Sequence, residues 1–175
     1  MLIVKPFYRG KAQIKTNDMN RKITVLVSLM LMLSSLSFGQ ILNPTKWKVE
    51  LSKKEIKVGD VIDVVFKAKI DKSWHLYSND FDPDLGPILI SFDFEADASY
   101  ERIGNVKPMN AKKHYDKIWE GEVSYFENTA ELRQQIKVLS LPLKIVGTFD
   151  FQSCSDESGQ CVMGDDEFDL TYPKN

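Results

Sequence analysis

Val61-Ile-Asp-Val-Val-Phe-Lys-Ala-Lys-Ile70 puts Ile62, Val64, Phe66, Ala68 and Ile70 on one side of an extended chain and Asp63, Lys67 and Lys69 on the other. Successive strand side chains point to opposite faces, so a period of two marks a strand with one buried face; a helix needs apolar residues every third or fourth position. The same period recurs along the chain. Trp47, Val49 and Leu51 alternate with Lys48 and Glu50, and Ile88, Ile90, Phe92 and Phe94 alternate with Ser91, Asp93 and Glu95. Leu132, Ile136 and Val138, then Leu143, Ile145, Phe149 and Phe151, then Phe168, Leu170 and Tyr172 supply three more strands. Residues 74–78, 100–106 and 123–126 are shorter candidates, which makes eight or nine strands and no convincing amphipathic helix.

Turn residues punctuate these runs: Val58-Gly-Asp60, Pro83 and Pro87, Gly104-Asn105, Glu127-Asn128 and Pro142. Many short alternating strands must each bury one face, and the expected fold is therefore all-β, a two-sheet antiparallel sandwich of immunoglobulin type. No internal repeat or low-complexity linker is present. The longest expected irregular stretch is residues 107–117, rich in Lys, Asn, His and Tyr; a long loop on a compact sandwich is often functional.

Ahead of the strands, Met19-Asn-Arg-Lys22 is basic, residues 23–36 are uncharged and mostly apolar, and Ser37-Phe-Gly39 places small residues at the first and third positions. This is the pattern of a signal peptide over residues 19–39, with residues 1–18 read as an upstream gene-model extension and residues 40–175 as one exported domain. The apolar run is short for a membrane span, and an uncleaved anchor is the weaker alternative. No cysteine stands at the cleavage point to carry a lipid. Residues 1–39 hold six of the 23 Lys/Arg and one of the 25 Asp/Glu, which leaves 17 basic and 24 acidic residues beyond them and a net charge of about −7. Nucleic acid and anionic membrane surfaces are disfavoured partners for such a domain. It is expected to be exported to an oxidising compartment, without stable membrane insertion, and monomeric.

Cys154 and Cys161 are the only cysteines, and in an oxidising compartment they pair. Closing so short a loop removes about 2.5 kcal/mol of unfolded-chain entropy, less than a longer bridge between sheets would. Exposed short-loop bridges are the exchangeable kind. Spacing alone leaves a redox-active pair and a passive staple both open. Metal-ligand spacing is lacking, since His75 and His114 are far apart, and no nucleophile elbow, HExxH or phosphate loop suggests a hydrolase.

Trp74-His-Leu-Tyr-Ser78, Gly86-Pro87, Tyr115-Asp116 followed by Trp119, Phe151-Gln-Ser-Cys154 and Cys161 occur in the order and approximate spacing of the N-terminal periplasmic domain of the thiol:disulfide interchange protein DsbD. The chain resembles this family over nearly all of residues 47–172, and looks particularly like stand-alone versions from Bacteroidetes-type bacteria. The resemblance implies an immunoglobulin-like thiol-disulfide exchange domain without a cofactor. Such a domain takes reducing equivalents from a membrane thiol transporter of the DsbD or CcdA kind through thioredoxin-like proteins. It passes them to periplasmic thiol proteins, a disulfide isomerase or a cytochrome c biogenesis thioredoxin among them.

By position, the resemblance makes Cys161 the attacking thiol and Cys154 the resolving one. Tyr115-Asp116-Lys117-Ile118-Trp119 aligns with the family's cap loop, with Trp119 as the lid helped by Ile118, and His75 and Tyr77 align with site-lining residues. The loop between the cysteines is longer than the family's usual one, and Val162-Met-Gly-Asp165 replaces the proline-containing segment that commonly follows. Asp156, Glu157, Asp165, Asp166 and Glu167 flank the pair, and nearby carboxylates oppose thiolate formation. Each residue also has a plainer reading: Trp74, Tyr77 and Trp119 as packing aromatics, His75 as a surface imidazole, and Asp165 to Glu167 as a solvated turn. The competing class is a secreted sandwich that binds through its loops and uses the disulfide as a staple.

Overall fold

The computed structural model describes residues 16–33, 42–117 and 119–173. The chain divides into two units, Met1–Ile41 and Leu42–Asn175. In the first, α1 (Thr16–Leu33) covers residues 23–33 of the apolar run and begins ahead of Met19; residues 34–36 lie outside the described residues. Most of residues 1–18 and the Ser37-Phe-Gly39 segment lie outside the described residues. Among the described residues no helix is long and apolar enough to cross a membrane.

The second unit is an antiparallel two-sheet sandwich of immunoglobulin type. Its described strands are β1 (Thr45–Leu51), β2 (Val61–Ile70), β3 (Trp74–Tyr77), β4 (Ser91–Phe94), β5 (Tyr100–Pro108), β6 (Lys112–Asp116), β7 (Gly121–Glu127), β8 (Thr129–Val138), β9 (Leu143–Ser155) and β10 (Cys161–Tyr172). One sheet runs β1-β2-β8-β5; the other runs β10-β9-β3-β7-β6, with β4 also pairing with β9. Strand β9 therefore carries β10 along one edge and shares its other edge between β4 and β3.

The core lies where the alternating residues meet. Val64 and Phe66 from one sheet face Leu76, Phe126, Phe149 and Phe168 from the other, all buried. Phe66 is edge-on to Phe149 and Phe168, with ring centroids 5.6 and 5.2 Å apart, and full burial of one such side chain contributes about 1.5–3 kcal/mol. Behind the cysteines, Thr45 and Ser153 share a buried hydroxyl–hydroxyl bond of 2.7 Å.

Three elements differ from the sequence reading. Residues 107–117 are not one irregular loop: they close β5 and form β6, which pairs with β7 from Lys112↔Tyr125 to Asp116↔Gly121. Strand β6 is a sheet edge with no face in the core, so it shows no hydrophobic alternation. Asp165 to Glu167 are not a turn but the middle of β10, opposite residues 148–150, and carboxylates on an outer strand discourage edge-to-edge association. In the stretch from Ile88, only Ser91–Phe94 is a strand; Ile90 is buried whereas Ile88 is exposed.

Candidate functional site

The hairpin of β9 and β10 keeps an unbroken register from Tyr172↔Leu143 to Cys161↔Cys154. Just past the cysteines, the Ser155 N–H donates to the Gln160 carbonyl (2.8 Å), so the cysteines occupy the adjacent non-hydrogen-bonded position, where opposed side chains lie closest. Their sulfurs are bonded at 2.01 Å with Cα atoms 4.0 Å apart. Because β9 is an interior strand and β10 an edge, the two ends of the bridge differ: Cys154 is 5% exposed and Cys161 is open to solvent.

The turn after Ser155 is tied down from outside the hairpin. The Asp156 N–H donates to the Ser73 carbonyl (2.9 Å), and the Ser73 hydroxyl donates to Glu157 Oε1 (2.6 Å). Ser73 has the left-handed φ of 64° and ends the β2–β3 turn that introduces His75. Register then lines up Cys161, Cys154, His75 and Glu127 on four neighbouring strands. Residues paired in register share a face, so this row lies on the side of the sheet away from Leu76 and Phe126. Tyr77, Val123 and Cys154 form a second small apolar cluster there, with Phe81, Leu85 and Tyr125 packed against it.

His75 Nδ1 lies 2.6 Å from Asp156 Oδ1, and its ring is edge-on to Tyr77 and Tyr125 at 5.0 and 5.7 Å. Burial pushes the Tyr77 hydroxyl pKa up against the opposing hydrogen bond with Trp119, and burial followed by the charge of Glu127 raises that of Tyr125. The hydrogen bond from Lys112 (2.6 Å) holds the Glu127 carboxyl below its ordinary range.

Above this row is a cavity of about 500 Å³ with the disulfide in its wall. Trp119 forms another part of the wall and is half-buried. Its ring lies over Gly86, where an added Cβ would come within 2.3 Å of Trp119 Cζ3, and Gly86 has a φ of +115°. Reciprocally, Leu85 lies on Gly121, where an added Cβ would be 2.2 Å from its Cδ2. The segment around Pro83–Leu85 and the β6–β7 turn thus interlock through two glycines. The Trp119 N–H donates to Asp116 Oδ1 (3.2 Å) and shapes the turn.

Of the residues singled out from sequence, Cys154, Cys161, His75, Tyr77, Asp116 and Trp119 line this one cavity. Tyr115 is 63% exposed and stands on β6 opposite Glu122, away from the lining. Ile118 lies outside the described residues. Trp74 packs against the main core. Tyr125 and Glu127 also line the cavity and were not singled out, and His114, weighed in the sequence only as a metal ligand, lines it as well. The short candidate strand over residues 123–126 was the available signal for Tyr125, but only strand register turns such positions into proximity.

The acidic flank divides. Asp156 and Glu157 are engaged with His75 and Ser73. Asp165 stands four positions beyond Cys161, about 13 Å at strand rise, where a field through water is largely screened. Among the described residues no group of three or more His, Cys, Asp or Glu is arranged to hold a metal ion.

No curated protein matches the chain. Solved structures similar to it include the Neisseria meningitidis DsbD N-terminal domain in the reduced form, 15% identical with a TM-score of 0.45, covering 62% of this chain and 75% of that one. The same organism's complex between the DsbD N-terminal and PilB N-terminal domains is also similar, at 15% identity and a TM-score of 0.45, with 79% and 96% covered. The GAE domain of GGA2p from Saccharomyces cerevisiae follows at 11% and 0.39, with 74% and 92% covered. A family model described as thiol:disulfide interchange protein DsbD, N-terminal, matches residues 45–173, and the chain belongs to that family.

Proposed function

We propose that this domain is a periplasmic thiol-disulfide relay that passes reducing equivalents to partner thiol proteins through Cys161 and Cys154. The observation that carries this reading is the unlike environment of the two sulfurs: an exposed cysteine on an edge strand bonded to a buried one on the interior strand beside it. Exchange needs one reachable sulfur for a partner and a second thiol poised behind it to resolve the mixed disulfide. Cys161 is the attacking thiol and Cys154 the resolving one.

Trp119, seated on Gly86 and bonded to Tyr77, is the lid that a partner displaces, and His75, Tyr77 and Asp116 line the site beneath it. The partners are thioredoxin-like periplasmic proteins on one side and a membrane thiol transporter on the other. Export by a signal peptide over residues 19–39 brings the domain to them.

The test is the reduction potential of the bridge, measured by equilibrating the purified protein with glutathione or dithiothreitol buffers and counting free thiols. A value of about −120 to −270 mV supports the relay, and a Cys154→Ala variant then accumulates mixed disulfides at Cys161. A value below about −300 mV marks a structural staple and overturns the reading in favour of a non-redox binding module.

A further inference from the structure

His75 is more constrained than a lining residue needs to be. Its side chain is 17% exposed, and Asp156 meets its Nδ1 at 2.6 Å from a turn whose position is fixed by Ser73. Tyr77 and Tyr125 meet the ring edge-on. A carboxylate can only accept, so the proton of the neutral ring sits on Nδ1 and Nε2 keeps its lone pair. A base oriented by a third group is the arrangement used to activate a nucleophile. Cys154 is the register partner of His75 on the neighbouring strand, where paired Cβ atoms lie about 4.5–5.5 Å apart, and both side chains line the same cavity.

Cys154 needs such help, because apolar surroundings disfavour a bare thiolate and it packs with Tyr77 and Val123. The charged and titratable groups facing the ring are Asp156 from the turn, Glu127 with its partner Lys112 from β7 and β6, Tyr77 from its own strand and Tyr125 from β7; His114 and Asp116 line the same cavity from β6.

We propose that His75, positioned by Asp156, is the general base for Cys154 in the resolving step of exchange; this rests on the relay reading above. In the reduced domain the Cys161 thiolate attacks one sulfur of a partner disulfide. A Cys161–partner bond forms, and the partner's other sulfur leaves as a thiolate. Cys154 then gives its proton to His75 Nε2 as its sulfur attacks that of Cys161. The Cys154–Cys161 bond forms, the mixed disulfide breaks, and the partner's first sulfur leaves with the electron pair and takes the proton from the imidazolium. One dithiol is oxidised and one disulfide reduced. In the reverse direction the imidazolium protonates Cys154 as it departs.

The experiment uses DTNB, an aromatic disulfide whose released thiolate is coloured, mixed with the reduced protein in a stopped-flow instrument. A first release marks labelling of Cys161, and a second, independent of DTNB concentration, marks closure by Cys154. At neutral pH the wild type is expected to close about 10²-fold faster than His75→Gln. The two rates should converge above about pH 8.5, where a free thiol ionises unaided. Asp156→Asn, a change at a half-exposed side chain, should show a smaller loss with the same convergence. Rates that are equal, or offset by one constant factor at every pH, overturn the proposal, as does a wild type that fails to close at neutral pH. Closure kinetics and reduction potential are separate readouts, so a staple-like potential with His75-dependent closure would sink the relay and leave the base assignment standing.

Discussion

Reducing the Cys154–Cys161 bridge, with every residue kept, is expected to lower the stability of the domain by about 2.5 kcal/mol and leave its unfolding cooperative. The cysteines are seven positions apart, so the closed loop has about eight residues, and the chain-entropy relation gives about 2.5 kcal/mol for its release. Little else should change in the folded state. The β9–β10 ladder continues to Tyr172↔Leu143, and the Ser155–Gln160 and Asp156–Ser73 backbone bonds do not involve the sulfurs. For a domain of this size each kcal/mol shifts Tm by roughly 3–6 °C, so the oxidised and reduced proteins should melt roughly 8–15 °C apart. The assay is thermal unfolding by circular dichroism with and without a phosphine reductant at one pH. Loss of the cooperative transition on reduction, or a drop beyond about 5 kcal/mol, would refute the reasoning, because the bridge would then be holding the sandwich together.

Gly86→Ala puts a Cβ 2.3 Å from Trp119 on a residue with φ +115°; the ring should leave its seat at a cost of about 1–3 kcal/mol. Tryptophan emission should then shift and dithiothreitol reduce the bridge faster, and unchanged emission and rate would count against the lid. Hydrogen bonds from Lys48 and Lys67 lower the Glu50 carboxyl to about 2. Its folded pKa lies below the unfolded one, so its stabilisation is present above about pH 4.5 and disappears as pH falls toward 2. Glu50→Gln should therefore flatten part of the acid limb of a Tm-versus-pH curve, by less than about 1 kcal/mol because the pair is exposed; an identical acid limb would contradict the assignment. Phe66→Ala removes a fully buried ring and should cost about 3–5 kcal/mol in urea unfolding, and a loss under about 1 kcal/mol would show that the core closes around the gap.

Strands β2, β8 and β9, and β10 from Phe168 onward, were legible because each sets an alternating apolar face against the core; the first half of β10 buries nothing and was not. Strand β6 was not, since Lys112, Lys113, His114 and Tyr115 are exposed and nothing in their order marks a buried side. The site divides in the same way. The cysteine pair, His75, Tyr77 and Trp119 could be found from local motifs and from likeness to a family. Tyr125 and Glu127 belong to the site only through the pairing of β7 with β3, and the His75–Asp156 bond joins residues 81 positions apart. Contacts of that separation are made by sheet topology, which composition and period do not encode.

The bridge joins two residues that an intact ladder already holds opposite one another, so forming or breaking it asks little of the backbone. The oxidised and reduced domains then present nearly the same outline. On the relay reading, a partner that binds through shape alone has no means of telling a loaded carrier from a spent one. Donor and acceptor would compete for a single face with affinities that barely depend on redox state, and a spent domain would act as an inhibitor of its own acceptor. Direction of flow would then follow from the partners' potentials and abundances.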